Sequence, residues 1–325
     1  MIKNQWYPIL ESREIPKNKP IGVTRMGEKL VFWRDREGFA HCLRDKCVHR
    51  GAALSAGKVI HDHLQCPFHG FEYDETGQCQ YIPARGITNP IPGDFKIDGY
   101  PLKEAYDFIW LWWGERQEEY PELPWFTELE HNFSYGRDTD LWPVHYSRAI
   151  ENQLDVFHLP FVHYNTIGRG NRFVSDGPVT VLEDETLKIW VMNREEDGRP
   201  AKFQRDLPSQ PEPALLYFKF PNIWMNRLSD DFRIVVAFVP VDDQHTKFYL
   251  RYYQSFIRVP IIKNIINLAT TIGSRVILKQ DKHVVITQQP TKSEYGMSER
   301  LIHADRPIIE YRRHREDLKT TPPAA

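Results

Sequence analysis

The sequence predicts an all-β domain at the N-terminus, followed by an α+β domain built on an antiparallel sheet with flanking helices. Three observations carry that prediction. Short β-rich runs separated by turn residues fill the first third of the chain. The segment 114–124 (GERQEEYPELP) is charged and holds two prolines, which places a boundary near 118. Beyond it, longer strand-like runs lie between two helical patterns. The 325 residues suffice for two domains of ordinary size, 1–118 and 119–325.

In the first domain, Val31-Phe32-Trp33, Leu64-Gln65-Cys66 and Phe108–Trp113 read as strands. Asp74–Gly77 and Ile91–Asp94 read as turns between them, which predicts a small sandwich or barrel. In the second domain, Ile150, Leu154 and Phe157 recur at spacings of four and three. That spacing predicts a helix over 147–159, with Pro160 just past its end. Strands follow between 171 and 256, among them Phe232–Val239 and Lys247–Phe256. Pro260 opens a second helical stretch running to about 288. The glycine run Gly168-Arg169-Gly170 lacks the third glycine of a dinucleotide-binding fingerprint.

Composition narrows the function. Lys and Arg number 42 against 44 Asp and Glu, a net charge of −2, which argues against a surface built mainly to hold nucleic acid or an anionic membrane. Four cysteines are too few for a disulfide scaffold. The opening residues MIKNQWYPILESREI contain no apolar run of signal-peptide length. The most apolar stretch, 260–278, is interrupted by Lys263, Asn264, Asn267 and Arg275. These features predict a cytoplasmic protein with neither a nucleic-acid nor a membrane partner. Nine Trp, 15 Tyr and 18 Phe are enough for a large core and an aromatic-lined pocket, for which Trp142, Phe157, Tyr164 and Trp224 are candidates.

Two constellations carry chemistry. Cys47-Val48-His49 and Cys66-Pro67-Phe68-His69 each bring a thiolate and an imidazole into one turn, with glycine close behind. Two Cys and two His can make a tetrahedral zinc site, or can hold a [2Fe–2S] cluster with Cys₂ on one iron and His₂ on the other. Spacing alone leaves both open. The second constellation is Glu151-Asn152-Gln153-Leu154-Asp155-Val156-Phe157-His158-Leu159-Pro160-Phe161-Val162-His163, with two histidines five apart. With one carboxylate they would form the 2-His-1-carboxylate triad of non-heme iron oxygenases.

The run CVHRGAALSAGKVIHDHLQCPFHGFEYDETGQC closely resembles the Rieske iron–sulfur motif of Rieske non-heme iron oxygenases, and E-N-x₂-D-x₂-H-x₄-H resembles their catalytic segment. The likeness spans nearly the whole chain and is strongest to homotrimeric O-demethylases of the vanillate and dicamba type. The run His158–His163 also resembles plastid members that act on bulkier substrates. The resemblance implies a Rieske domain followed by a helix-grip catalytic domain. It implies that Cys47, His49, Cys66 and His69 hold a [2Fe–2S] cluster. His158, His163 and an aspartate from a late helix, here Asp281, would bind a mononuclear Fe(II). Glu294 and Asp305 are weaker candidates for that third place. Asp155 is expected to hydrogen-bond His158 and to reach His49 or His69 of a neighbouring chain, with Asn152 and Glu151 close to the open site. Respiratory Rieske proteins add a cysteine in each loop; Ala52 and Phe68 stand there, so no disulfide can form. With few polar donors around the sulfurs, the cluster's potential is expected to be low. Cys42 and Cys79 read as core residues.

The implied activity is that of a terminal oxygenase. It would use O₂ and electrons from a separate NAD(P)H reductase or ferredoxin to hydroxylate, or to O- or N-dealkylate, an aromatic or polycyclic small molecule. The basic run Arg312-Arg313-His314-Arg315 reads as a solvated tail, or as a dock for an acidic ferredoxin. An electron-transfer protein without the mononuclear iron, and a structural zinc module, are the alternatives.

Overall fold

A computed structural model of the chain describes residues 1–168, 172–210, 212–257 and 260–320; residues 169–171 of the glycine run lie outside the described residues. The chain forms two compact units, 3–121 and 122–325.

The first unit carries β1 (Gln5–Glu11), β2 (Ile21–Arg25), β3 (Glu28–Arg34), β4 (Ala40–Arg44), β5 (Lys58–Ile60), β6 (His63–Gln65), β7 (Glu72–Tyr73), β8 (Cys79–Tyr81), β9 (Leu102–Ala105) and β10 (Phe108–Trp113). They make three antiparallel sheets, ordered β1-β10-β9, β2-β3-β4 and β5-β6-β7-β8. Strand β10 reads FIWLWW and buries five of its six residues, as a strand covered on both faces must. Trp6 and Trp112 sit directly opposite in the β1/β10 register, and their rings meet edge to face at 5.3 Å. The turn between β7 and β8 closes with Gly77 N–H donating to Asp74 O at 3.0 Å. Gly77 has φ +83, and a Cβ there would lie 2.0 Å from Ile97 O, so only glycine fits. Trp33, Leu43, Leu54, Leu64 and Tyr73 pack with three of the cysteines into one core beneath the four-stranded sheet.

The second unit begins with β11 (Ser134–Trp142), α1 (Tyr146–Leu154) and α2 (Leu159–Val162). It continues with β12 (Phe173–Glu183), β13 (Thr186–Glu195), β14 (Leu216–Lys219), β15 (Ile223–Ser229), β16 (Phe232–Pro240) and β17 (Thr246–Gln254). It ends with α3 (Pro260–Val285) and α4 (Arg306–Thr320). Its strands form one antiparallel seven-stranded sheet, β11-β17-β16-β15-β14-β13-β12. The period of two separates the faces. Phe248, Leu250 and Tyr252 of β17 line a cavity, whereas the intervening Arg251 packs its guanidinium over Tyr135. Helix α3 crosses β11: Arg275 makes paired bonds of 2.7 and 2.8 Å to Asp138, and Lys282 reaches Asp140 and the Leu141 carbonyl.

The α+β architecture and antiparallel sheet match the reading of the sequence, and two local expectations do not. The helix expected over 147–159 ends at Leu154. Asp155 leaves the helix in an extended conformation, and its Oδ1 accepts the N–H groups of Phe157 and His158 at 2.7 and 3.2 Å. That local bond competes with the helical ladder and stops it. Pro160 therefore lies inside the short α2, near its start, where a missing N–H costs nothing. The basic run 312–315 is no solvated tail either. Arg312 and Arg315 are buried in α4, Arg312 paired with Glu151 and Glu299. No helix among the described residues is long and apolar enough to cross a membrane.

Candidate metal centres

The first centre sits in two loops with the same internal wiring. In the loop after β4, Cys47 N–H donates to Ala52 O at 2.9 Å and Gly51 N–H donates to Cys47 O at 2.9 Å. In the loop after β6, Cys66 N–H donates to Phe71 O at 2.8 Å and Gly70 N–H donates to Cys66 O at 3.1 Å. Both glycines have φ near +70, which a residue with a side chain adopts only with strain. Each loop is thus a closed turn with its cysteine inward and its histidine outward. Cys47 and Cys66 are 2% exposed, whereas His49 and His69 face solvent with Nδ1 atoms 3.2 Å apart. Buried sulfurs and exposed imidazoles suit a two-iron cluster with an inner and an outer metal. The four side chains do not gather into a single-ion cage, as zinc would require.

Burial pushes the Cys47 thiol up, so ligation there depends on a metal to draw off the proton. Tyr73, on β7, places its hydroxyl 3.1 Å from Cys47 Sγ. Sequence reading missed this donor, because Tyr73 lies outside both ligand loops. Cys42 and Cys79 are buried and unpaired in disulfides, as core residues.

The second centre is built from α1, α2 and α3. His158 precedes α2 and His163 follows it, so a four-residue helix sets both imidazoles toward the same point. Asp281, on α3, lies with Oδ1 3.4 Å from His158 Nε2 and 3.0 Å from His163 Nε2. Among the described residues these three are the one group of three or more His, Cys, Asp or Glu whose ligand atoms fall within 4.8 Å of each other. Burial alone would push His158 down, but the carboxylates of Asp155 and Asp281 outweigh it and draw it up to about 9. Burial alone would raise Asp281, and the two histidines overcome it and hold the carboxyl low. The site without metal is thus a compensated cluster of charge, and three convergent N/O donors fit a divalent iron.

The outer nitrogens of both imidazoles face oxygen acceptors. His158 Nδ1 lies 3.1 Å from the Asp155 backbone carbonyl and 3.8 Å from its carboxylate. As expected, the Asp155 carboxylate pairs with this imidazole, and it also accepts the backbone N–H groups of Phe157 and His158 in the turn. His163 Nδ1 lies 2.8 Å from Gln280 Oε1, a contact the sequence reading did not foresee.

Other expected residues fall elsewhere. Glu151 is buried in ion pairs with Arg148 and Arg312 and does not reach the centre. Asn152 is absent from the cavity wall, and its neighbour Gln153 lines it instead, one helical step of about 100° further round. Glu294 pairs with Lys292, and Asp305 closes the turn before α4, so neither joins the triad. Beside the triad lies a cavity of about 590 Å³, lined by Leu216, Trp224, Ile234, Phe248, Leu250 and Ile277 among others. Of the four aromatic candidates only Trp224 reaches it. Trp142 stacks on Phe248 from within the core, Phe157 packs near Phe161, and Tyr164 is exposed.

A β unit with paired Cys-His loops, followed by a sheet-and-helix unit holding a 2-His-1-carboxylate set, defines the architecture of a Rieske-type non-heme iron oxygenase component. Family comparison agrees: residues 5–92 match the Rieske [2Fe-2S] domain, and residues 142–320 match the vanillate O-demethylase oxygenase C-terminal domain. The chain belongs to the family of Rieske oxygenases with that C-terminal domain. It is 35% identical over 171 residues to chlorophyllide a oxygenase of Chlamydomonas reinhardtii, covering 52% of this chain and 26% of that protein. It is 34% identical over 188 residues to the vanillate O-demethylase oxygenase subunit of a Pseudomonas strain, covering 57% and 51%. The chain spans about a quarter to a third of the length of the first curated relatives it matches. The solved structure of Pseudomonas putida NdmA with caffeine superposes with a TM-score of 0.75 at 23% identity, covering 97% of this chain and 90% of the other, and shows the shared fold.

Proposed function

We propose that the chain is the terminal oxygenase of a Rieske system, which hydroxylates or oxidatively O- or N-dealkylates an aromatic or polycyclic small molecule. The observation that carries this reading is the convergence of His158, His163 and Asp281 beside a 590 Å³ apolar cavity, in a chain that also holds the two Cys-His loops. Cys47, His49, Cys66 and His69 would hold the cluster, and the triad the mononuclear iron. When bound, these groups supply stored electrons and activation of O₂.

The chain's own residues do the rest. The apolar wall around Trp224, Phe248 and Leu250 excludes water and orients a flat substrate beside the triad. Volumes of this size accept more than one ring. The polar groups of Gln153 and Asn193 on that wall supply orientation; Asn193 is itself tied to the Val156 carbonyl at 3.2 Å. The Asp155 side chain remains 33% exposed, which leaves it open to a cluster histidine of a neighbouring copy in a homotrimer. Electrons would come from a separate reductase or ferredoxin, in the cytoplasm.

The test is iron and acid-labile sulfide per chain after anaerobic reconstitution. Three irons and two sulfides are expected. Two irons and two sulfides would favour an electron-transfer protein, and a colourless protein would remove both iron readings. Asp155→Asn is expected to keep both metal sites and lose most turnover; near-normal turnover would take Asp155 out of the electron path.

A further inference from the structure

Gln280 does work in the second centre that the ligand set does not account for. It stands one residue before Asp281 on α3, and both reach the same imidazole from opposite ends. Asp281 Oδ1 meets His163 Nε2 at 3.0 Å, and Gln280 Oε1 meets His163 Nδ1 at 2.8 Å. The same oxygen accepts from Thr166 Oγ1 at 3.0 Å, while Gln280 Nε2 donates to Asn165 Oδ1 at 2.8 Å. The amide thus ties α3 to the loop that follows α2, and it does so through a ligand. The His163 imidazole is buried, 1% exposed, so no water competes for its outer nitrogen.

A metal on Nε2 requires the proton of the neutral ring to sit on Nδ1, and a buried N–H needs an acceptor. Gln280 Oε1 is that acceptor. The donor bond to Asn165 keeps the amide from turning its NH₂ group toward His163, which would select the opposite tautomer and close Nε2 to metal. We propose that Gln280 is a positioning residue for the iron: it fixes the tautomer and ring plane of His163, and Asn165 and Thr166 fix Gln280. This rests on the reading of His158, His163 and Asp281 as the iron site.

The experiment measures Co(II) binding by equilibrium dialysis against the full chain with its cluster intact and the mononuclear site stripped. Thermal unfolding of the same metal-free samples is measured in parallel. Gln280→Leu keeps a helix-forming side chain of similar size on a half-buried position. It is expected to weaken Co(II) binding about 10–100-fold. Gln280→Glu, which retains an oxygen for Nδ1–H, is expected to recover most of that loss. Asn165→Ala, which frees the amide to turn, should fall between them. A dissociation constant for Gln280→Leu within threefold of the parent would overturn the proposal. So would a Gln280→Glu variant as weak as Gln280→Leu, or a loss of affinity matched by lower thermal stability in all three variants. A parent protein that binds no Co(II) beyond its cluster iron would instead overturn the iron site itself.

Discussion

Tyr73 and His145 show how much one polar atom can set from inside a core. Once Cys47 is a thiolate, the Tyr73 hydroxyl at 3.1 Å can only donate to it, and a donated hydrogen bond stabilises the reduced, more negative cluster. Tyr73→Phe is therefore expected to lower the cluster's midpoint potential, read by a redox titration followed by circular dichroism; an unchanged potential would mean the hydroxyl does not donate. His145 caps α1 as a neutral acceptor, taking Ser147 N–H on Nδ1 at 3.2 Å. Burial, with Arg315 and Lys292 adding repulsion, pushes His145 down to about 3. The unfolded chain binds this proton near pH 6.5 and the folded chain only near 3, so stability falls as pH drops through that window. Denaturation midpoints measured from pH 7 to 4 should fall less steeply in His145→Asn, where the cap is kept and the titration removed. The seven proposed ligands and the bridging aspartate were nameable because their spacing is local or their motif specific, whereas Asn152 was named and does not reach the cavity. Tyr73, Gln280 and Gln153 were not, since each matters only through a contact that folding creates.

At the scale of elements, the segment 146–163 is two helices with an aspartate turn between them. Apolar spacing predicted one helix, because Ile150, Leu154 and Phe157 keep the period across the break. Periodicity does not report a side chain that takes two backbone N–H groups for itself. Asp155→Ala should free those groups, let α1 run on and swing His158 away. The expected cost is about 1 kcal/mol of stability with a marked loss of Co(II) affinity, whereas Asp155→Asn keeps the acceptor and the turn. Helix α1 is held from behind by Glu151, which Arg148 and Arg312 grip at 3.1 and 2.7 Å. Replacing Glu151 with Ala leaves two buried guanidiniums short of a partner, an expected loss of about 3–5 kcal/mol in chemical denaturation. The sequence reading put Arg312 at the surface because four cationic or titratable residues in a row usually lie there; the partner that buries Arg312, Glu151, is 161 positions away.

Across the whole molecule, two units carry two donor sets of different chemical softness. In the proposed assignment thiolates and imidazoles would hold the cluster, and imidazoles with a carboxylate the iron. A mild chelator for Fe(II) is expected to remove one iron in three and leave the visible spectrum of the cluster unchanged; bleaching in step with iron loss would mean the two sites are not independent. The expected boundary near 118 rests on the charged, proline-bearing segment 114–124. The order of the seven strands was not, since pairings such as β11 with β17 join residues more than a hundred positions apart. The same long reach orders assembly in time. All four proposed cluster ligands lie within residues 47–69, but the triad closes only when Asp281 meets two histidines at 158 and 163. On a ribosome the first site is finished while α3 is still unmade, so the iron–sulfur cluster can be delivered to a growing chain, and the single iron must wait for a nearly complete one.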